Sequence, residues 1–282
     1  MDVVKKVFFT KMHGLGNDFV IIDRRKYSFS FDNNAIKKLS NRRTGIGFDQ
    51  LILISQCNDG VADIKISIFN SDASEAESCG NASRCVGKML MKEFRTKNLI
   101  LETKGGLVDI EEEEDGMISV DMGLVKFNWD EIPLTHPVDT NNLGLKLLKI
   151  SDGFVVNVGN PHIVFFCNNF IKKEIEKDCI SVSKMKIFPQ GVNISIATVI
   201  SKNIIDLQVY ERGCGFTSSC GTGACATLIA ASKLGLTEEK ATVKMVGGEL
   251  EISYLKDNHV IMKGPVSSVY TGEIIIDDFI KN

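Results

Sequence analysis

The sequence predicts an α+β fold of two similar lobes, each a curled, mostly antiparallel sheet around a central helix. Three observations predict it. Short stretches with apolar residues at every second position recur through both halves, the mark of half-buried strands. Each half holds one long apolar segment at helical spacing, opened by Cys79-Gly80-Asn81 in the first and by Cys220-Gly221-Thr222 in the second. The two cysteines stand 141 residues apart (220 − 79), half of the 282-residue chain. At that offset Ile64–Phe69 falls on Ile205–Tyr210 without a gap, Asn70 on Glu211 and Ser71 on Arg212.

The match extends when the offset slips by one or two residues. Gly16-Asn17 before an apolar run pairs with Gly159-Asn160 before another, and Gln50 ahead of Leu51–Ile54 pairs with Asn193 ahead of Ile194–Ile196. Gly105-Gly106 and Gly247-Gly248 each separate two strands. Matches recurring in the same order indicate an internal duplication. Length alone suggests about two domains, and we place the first lobe at 1–123 and the second at 124–265, each offering one cysteine to a shared cleft.

In order, a strand is expected around Val7–Thr10, then the glycine-rich loop His13–Asp18 and a strand at Phe19–Ile22. That loop imitates a dinucleotide fingerprint, but Phe19 stands where its third glycine belongs and no helix follows, which excludes a Rossmann reading. A helix near Asn34–Asn41 precedes strands Leu51–Ser55 and Ile64–Asn70. The helix after Cys79 carries Val86, Met89, Leu90 and Phe94 on one face. Strands around Leu99–Thr103, Leu107–Glu112 and Met117–Met122 end the half. The second half repeats the plan with strands near Phe154–Val158, His162–Cys167, Val192–Val199 and Ile204–Tyr210, a weak helix or loop lying between the second and third. A loop, Glu211–Ser219, reaches Cys220, and the helix beyond it, through Leu234, is apolar on nearly every side. Strands Thr242–Met245, Glu249–Tyr254 and Val260–Lys263 follow, and a last one lies near Gly272–Ile276.

A net charge of −3 with mixed signs, no basic run and no zinc-finger spacing argue against nucleic acid as a partner. The N-terminus lacks the apolar core of a signal peptide, and apolar runs stop short of the roughly twenty residues of a membrane span. The expectation is a cytoplasmic protein with no membrane partner. Its eight cysteines are then mostly thiols. CxxC is absent, the cysteine spacings are not those of zinc sites and histidines are few, so no metal is expected.

A helix N-terminus offers unpaired N–H groups and about half a positive charge. A thiol there becomes more acidic, and a carboxylate binds there readily. Two such ends facing one cleft would hold a carboxylate and flank its α-carbon with two sulfurs. One thiolate would remove a proton from one face while the opposite thiol supplies one to the other. A lone buried cysteine is usually a small hydrophobe, and Cys57, Cys85, Cys167, Cys179, Cys214 and Cys225 are read that way. Cys79 and Cys220 differ because the duplication equates them.

Met12–Phe19, Asn70–Asn81, Gly159-Asn160-Pro161-His162 and Glu211-Arg212-Gly213 with Cys220–Gly223 resemble the diaminopimelate epimerase family over nearly the whole chain. The resemblance implies a cofactor-independent isomerase of LL- and meso-2,6-diaminopimelate, a small-molecule substrate of the lysine and peptidoglycan pathway. It also implies a homodimer, two lobes closing over substrate, and a last strand, within 266–282, that returns to the first lobe. Cys79 and Cys220 would be the acid/base pair, tuned by His162 and Glu211. Gly80, Asn81, Gly221 and Thr222 would bind the reacting carboxylate. Asn17, Gln50, Asn70, Asn160, Asn193, Glu211 and Arg212 would line the rest of the site. Ala82-Ser83 stands where many members carry glycine and a small residue, a departure that leaves Cys79-Gly80-Asn81 intact.

The polar set suits a substrate that is an amino acid at both ends: Arg212 can grip a distal carboxylate, and Glu211 and asparagine carbonyls a distal ammonium. A single Asn is more simply a turn cap; recurrence of Asn17/Asn160 and Gln50/Asn193 at equivalent places favours function. A proline or hydroxyproline racemase would use the same two thiols, but that family carries His where this chain has Asn81, and proline offers no distal group to Glu211 and Arg212. A phenazine-biosynthesis-type isomerase would not need both thiols. A thiol redox or metal-binding protein would be expected to show CxxC or a ligand cluster.

Overall fold

The computed structural model describes residues 6–27, 29–57, 60–145, 152–168, 172–275 and 279. The chain divides into two compact units, 1–120 with 264–282 and 121–263. The first contains β1 (Lys6–Gly14), β2 (Asn17–Asp23), α1 (Asn33–Ser40), β3 (Gln50–Gln56), β4 (Ile64–Asn70), β5 (Glu75–Ala76), α2 (Gly80–Phe94), β6 (Asn98–Thr103) and β7 (Gly106–Glu112), and runs out into β8 (Ile118–Leu124). Most neighbours pair antiparallel; β2–β3 and β4–β6 are parallel, and each is bridged by a segment that contains a helix.

Strands β2 and β3 are buried on both faces, which explains their unbroken apolar runs Phe19–Ile22 and Leu51–Ile54. One face meets a cluster holding Val20, Ile22, Leu51 and Leu53 with Ile36 and Leu39 of α1. Helix α2 also packs on the strands and buries Ala82, Cys85, Val86, Leu90 and Met91.

The second unit repeats the order: β9 (Phe154–Asn157), β10 (Pro161–Phe166), α3 (Lys172–Ser183), β11 (Asn193–Ser201), β12 (Ile204–Glu211), β13 (Gly215–Thr217), α4 (Gly221–Lys233), β14 (Lys240–Met245), β15 (Gly248–Tyr254) and β16 (His259–Gly264). Its parallel pairs, β10–β11 and β12–β14, stand where the first unit has β2–β3 and β4–β6. Helix α4 is buried without interruption from Gly223 to Ala231, so its sequence shows no polar face. A final strand, β17 (Ser267–Ile275), pairs antiparallel with β1 from Lys6↔Ile275 to His13↔Ser267.

Five elements differ most from the sequence reading; one is β1, which runs on through Gly14 into the segment read as a glycine-rich loop and pairs with β2 as far as Gly14↔Asn17. The segment read as a weak helix or loop is the helix α3, whose charged stretch Lys172–Asp178 meets the core through a stripe of Ile175, Cys179 and Val182. Strand β5 lies between the expected strand Ile64–Asn70 and Cys79, and β13 inside the segment read as a loop; with two and three residues both are too short to carry a period. Strand β17 starts five residues before the expected Gly272, because Ser267–Thr271 are exposed on both faces and leave no alternation to read. Ile276, the expected end of that strand, lies outside the described residues.

Candidate active site

Cys79 and Cys220 are the N-caps of α2 and α4, both extended, with φ/ψ of −153°/106° and −138°/109°. The first intrahelical bonds run from Ser83 N–H to Cys79 C=O at 2.9 Å and from Ala224 N–H to Cys220 C=O at 3.0 Å. The amides of Gly80, Asn81 and Ala82, and of Gly221, Thr222 and Gly223, precede those bonds at the positive ends of the helices. The repeated glycine pairs help fix the approach. Gly105 N–H donates to Glu77 C=O and Gly247 N–H to Ser218 C=O, both at 2.8 Å, each two residues before a cysteine. A side chain at Gly223 would sit 2.8 Å from Val209 Cγ2, so the first turn of α4 lies tight against the sheet. Its counterpart in α2 is Ala82, also buried.

In the first unit Asn17 opens β2 after a turn with φ +85° at Gly16, a conformation suited to glycine. The Asn17 Oδ1 lies 3.9 Å from Cys79 Sγ and accepts from Asn81 Nδ2 at 3.3 Å, while Arg84 Nη2 donates to Asn81 Oδ1 at 2.7 Å. Gln50 and Asn70, opposite each other across β3–β4, form a pair of their own, Nε2 to Oδ1 at 2.9 Å.

In the second unit Asn160 follows Gly159, whose φ of +98° repeats the glycine turn. His162 is fully buried, and its Nε2 lies 2.8 Å from Asn160 Oδ1 and 2.9 Å from Thr222 Oγ1. The Nδ1 of His162 is buried without a hydrogen-bond partner. An orphaned acceptor costs less than an orphaned N–H, so the ring proton belongs on Nε2. Burial, then the charge of Arg212, pushes His162 down to about 3, so the imidazole is neutral. Thr222 Oγ1 in turn lies 3.6 Å from Cys220 Sγ.

The Cys220 thiol is pushed well up, first by burial and then by the Glu211 carboxylate, against smaller help to the thiolate from Thr222 and the Gly223 amide. Glu211 also accepts from Thr217 Oγ1 of β13. Asn193 is held through both ends of its amide: Nδ2 donates to Pro161 C=O at 3.3 Å, and Oδ1 accepts from Arg212 N–H at 2.9 Å. The Arg212 side chain donates to Gln190 C=O. Within the first unit Cys79, Asn17 and Asn81 thus lie together, and Gln50 and Asn70 form a separate pair. Within the second, Cys220, Thr222, His162 and Asn160 lie together, with Glu211 beside the thiol.

Sequence reasoning missed the ionic frame around Asn17. Asn17 Nδ2 donates to Asp49 Oδ2 at 3.0 Å, Arg42 bridges Asp49 and Asp18, and buried Lys11 pairs with Asp18 at 2.5 Å. Although burial opposes it, hydrogen bonds and charge from Arg42 and Lys11 hold the Asp18 carboxyl far below the usual range. The adjacency of Asp18 to Asn17 and of Asp49 to Gln50 was the available signal. Arg84, fully buried one turn into α2, was missed too.

Among the described residues, no group of three or more His, Cys, Asp or Glu is placed to hold a metal ion. No helix among them is long and apolar enough to cross a membrane.

Solved structures share the fold at low identity. A hydroxyproline epimerase from Agrobacterium vitis superposes with a TM-score of 0.69 at 12% identity, over 95% of this chain and 91% of that one. A phenazine biosynthesis protein of the PhzF family from Bacillus anthracis gives 0.67 at 14%, over 96% and 99%. Sequence relatives are nearer. A diaminopimelate epimerase of Acidiphilium cryptum is 39% identical over 266 residues, 94% of this chain and 95% of that protein. One of Erythrobacter litoralis is 40% identical over 275 residues, 97% and 99%. The family model described as diaminopimelate epimerase matches residues 9–128 and 154–269, taking in both cysteine caps and both glycine-asparagine turns. With a duplicated fold, matched helix starts and relatives of this identity over nearly its full length, the chain belongs to the diaminopimelate epimerase family.

Proposed function

We propose that this isomerase interconverts LL- and meso-2,6-diaminopimelate by exchanging one α-proton between two thiols, one from each unit. The observation that carries the reading is the equivalence of Cys79 and Cys220 as extended caps of corresponding helices. The reacting carboxylate is held by amides of Gly80 and Asn81 from one helix start and of Gly221 and Thr222 from the other. One sulfur, as thiolate, takes the proton from Cα. The electron pair of the broken C–H bond is delocalised into the carboxylate, whose charge the helix ends stabilise. The other sulfur, as thiol, gives its proton to the opposite face, and reversal of the two roles runs the reaction back.

Burial and Glu211 keep Cys220 protonated at rest, which suits it to start as the acid. When it must act as base, Glu211 is the acceptor at hand. His162, neutral, orders Asn160 and Thr222 by hydrogen bonds. Asn17, Gln50, Asn70, Asn160, Asn193, Glu211 and Arg212 line the rest of the substrate site, where Arg212 grips the distal carboxylate and Glu211 and asparagine carbonyls the distal ammonium. The scheme calls on no cofactor, because the two thiols supply both proton transfers. The two units act as lobes that close over substrate, the protein works as a homodimer in the cytoplasm, and its product feeds lysine and peptidoglycan synthesis.

The test is α-proton exchange in heavy water with LL-diaminopimelate and proline in parallel. Deuterium entering diaminopimelate with formation of the meso isomer, and none entering proline, is the expected result. Exchange on proline alone transfers the protein to the proline racemase chemistry, and exchange on neither sinks the reading.

A further inference from the structure

An asparagine amide has two ends of nearly the same shape and opposite chemistry, a carbonyl that accepts and an NH2 that donates. Which end faces a thiol decides whether the neighbour favours S–H or S⁻. In this protein the Asn17 amide does not choose by itself. We propose that Asp49, held by Arg42, is a positioning residue for the reaction: it locks Asn17 with its carbonyl toward Cys79 and Asn81.

Asp49 Oδ2 receives Asn17 Nδ2 at 3.0 Å and the Asp18 backbone N–H at 3.1 Å. A carboxylate only accepts, so a flipped Asn17 would press two acceptors together. The other oxygen of Asp49 takes Arg42 Nη2 at 2.8 Å. Arg42 also donates to both oxygens of Asp18, at 2.7 and 3.0 Å, and Asp49 N–H returns to Asp18 Oδ1 at 3.0 Å. Lys11 closes on Asp18 and on Gly47 C=O. Two carboxylates and two cations therefore brace one amide.

The far end of the chain is fixed in the same way. Arg84, which can only donate, takes Asn81 Oδ1 at 2.7 Å and leaves Asn81 Nδ2 for Asn17 Oδ1 at 3.3 Å. Donors and acceptors alternate from Arg84 through Asn81 and Asn17 to Asp49, with a charged group at each end, and one arrangement satisfies all of them. Cys79 Sγ, 3.9 Å from Asn17 Oδ1, faces the carbonyl as a consequence.

The duplication shows that this is particular to one half. Asn160, the counterpart of Asn17, turns its oxygen to His162 Nε2 instead, and so presents its NH2 elsewhere. The position equivalent to Asp49 is Val192, buried in the core of the second unit. The same scaffold thus orients the two asparagines through different partners.

The inference rests on the proposed role of Cys79, and two readouts separate it from that role. The first needs no substrate: the rate of Cys79 alkylation by iodoacetamide at fixed pH, followed by peptide mass. Asn17→Ala and Asp49→Asn are each expected to raise it about twofold to tenfold, the worth of one neutral hydrogen bond to the thiol form. In Asp49→Asn the new amide could donate to Asn17 and so permits the flip. The double variant should match Asn17→Ala alone, because Asp49 acts only through Asn17. Arg42→Gln should move the rate in the same direction, and stands in if Asp49→Asn does not fold. The inference is overturned if Asp49→Asn alkylates at the wild-type rate, if Asn17→Ala does, or if the two effects multiply in the double variant. The second readout is kcat on the epimer whose conversion uses Cys79 as the acid, where Asp49→Asn should lower the value and again be silent in the Asn17→Ala background. Wild-type protein without exchange sinks the proposed function, and the alkylation result then decides the positioning role.

Discussion

Phe19 and His162 occupy the same place in the two halves of the molecule. Phe19 lies opposite Gln50 across the parallel pair β2–β3, and His162 lies opposite Asn193 across the parallel pair β10–β11. The separation is the same within each pair of equivalents, 143 residues (162 − 19 and 193 − 50). Both side chains are fully buried. One half fills the place with an inert ring, the other with an imidazole whose Nε2 reaches Asn160 and Thr222.

Replacing His162 by its own counterpart therefore removes chemistry and keeps volume. In His162→Phe, Asn160 Oδ1 and Thr222 Oγ1 lose their common donor. Both partners are only half-buried and can turn to water in the folded protein, so the loss falls on the ordering of the site: the worth of two hydrogen bonds, about 1–3 kcal/mol, should lower kcat/KM for diaminopimelate about 10- to 100-fold. The urea midpoint at pH 8 should change far less, because the first half shows that this frame accepts phenylalanine. Activity within twofold of wild type would remove His162 from the site.

The same residue makes stability depend on pH. Its folded pKa, about 3, lies below the ordinary 6.5, so the unfolded chain binds the extra proton first as pH falls. The contribution is whole above pH 6.5 and is lost toward pH 3, at up to about 1.4 kcal/mol per pH unit. Asp18, Asp23 and Asp72, with depressed pKa values, act in the same sense but only below about their ordinary 3.8. Between pH 6.5 and 4.5 the urea midpoint of wild type should drop, and that of His162→Phe should stay nearly level. Parallel curves for the two proteins would show that His162 titrates normally in the fold.

Much of this arrangement was legible in the sequence, because burial and repetition leave marks there. The doubly buried strands β2 and β3 read as unbroken apolar runs, and the enclosed helix α4 as one without a polar face. Equivalence alone singles out Cys79 and Cys220, and both cap helices at matching backbone angles. The elements that escaped lack those marks. Helix α3 meets its core through a narrow stripe among charges, and Ser267–Thr271 of β17 buries neither face. The bracket of Lys11, Asp18, Arg42 and Asp49 joins residues of both charge signs scattered over 38 positions (49 − 11), and no spacing rule announces such a set.

Glu211 sets the proton on Cys220. After burial, its carboxylate is the next cause of the raised thiol. Glu211→Gln keeps the shape and an oxygen for Thr217 but removes the charge, so the thiolate should form at lower pH. The midpoint of Cys220 alkylation against pH is expected to move down by about one unit, the scale of one neighbouring charge. Turnover should nevertheless fall, because in the proposed mechanism Cys220 loses the group that takes its proton when it must serve as base. An unmoved or raised midpoint would separate Glu211 from the thiol.

The two sulfurs should fail in complementary ways. Cys79→Ser and Cys220→Ser each replace a thiol by a hydroxyl of similar size but far weaker acidity, which cannot become the base at neutral pH. Each variant should lose net epimerisation by about 100-fold or more, the scale of a positioned general base. In the proposed two-thiol mechanism the remaining thiolate would still face its own side of the α-carbon. It can therefore remove the proton from one stereoisomer of a substrate that needs no reprotonation, such as a β-halogenated analogue that eliminates halide once its proton is gone. In Cys220→Ser the surviving base is Cys79, and in Cys79→Ser it is Cys220, so the preferred stereoisomer should invert between the two. Halide release from the LL- and meso-configured analogues, measured for both variants, reads this directly. A shared preference, or epimerisation by either variant near the wild-type rate, would mean that the thiols do not divide the two faces between them.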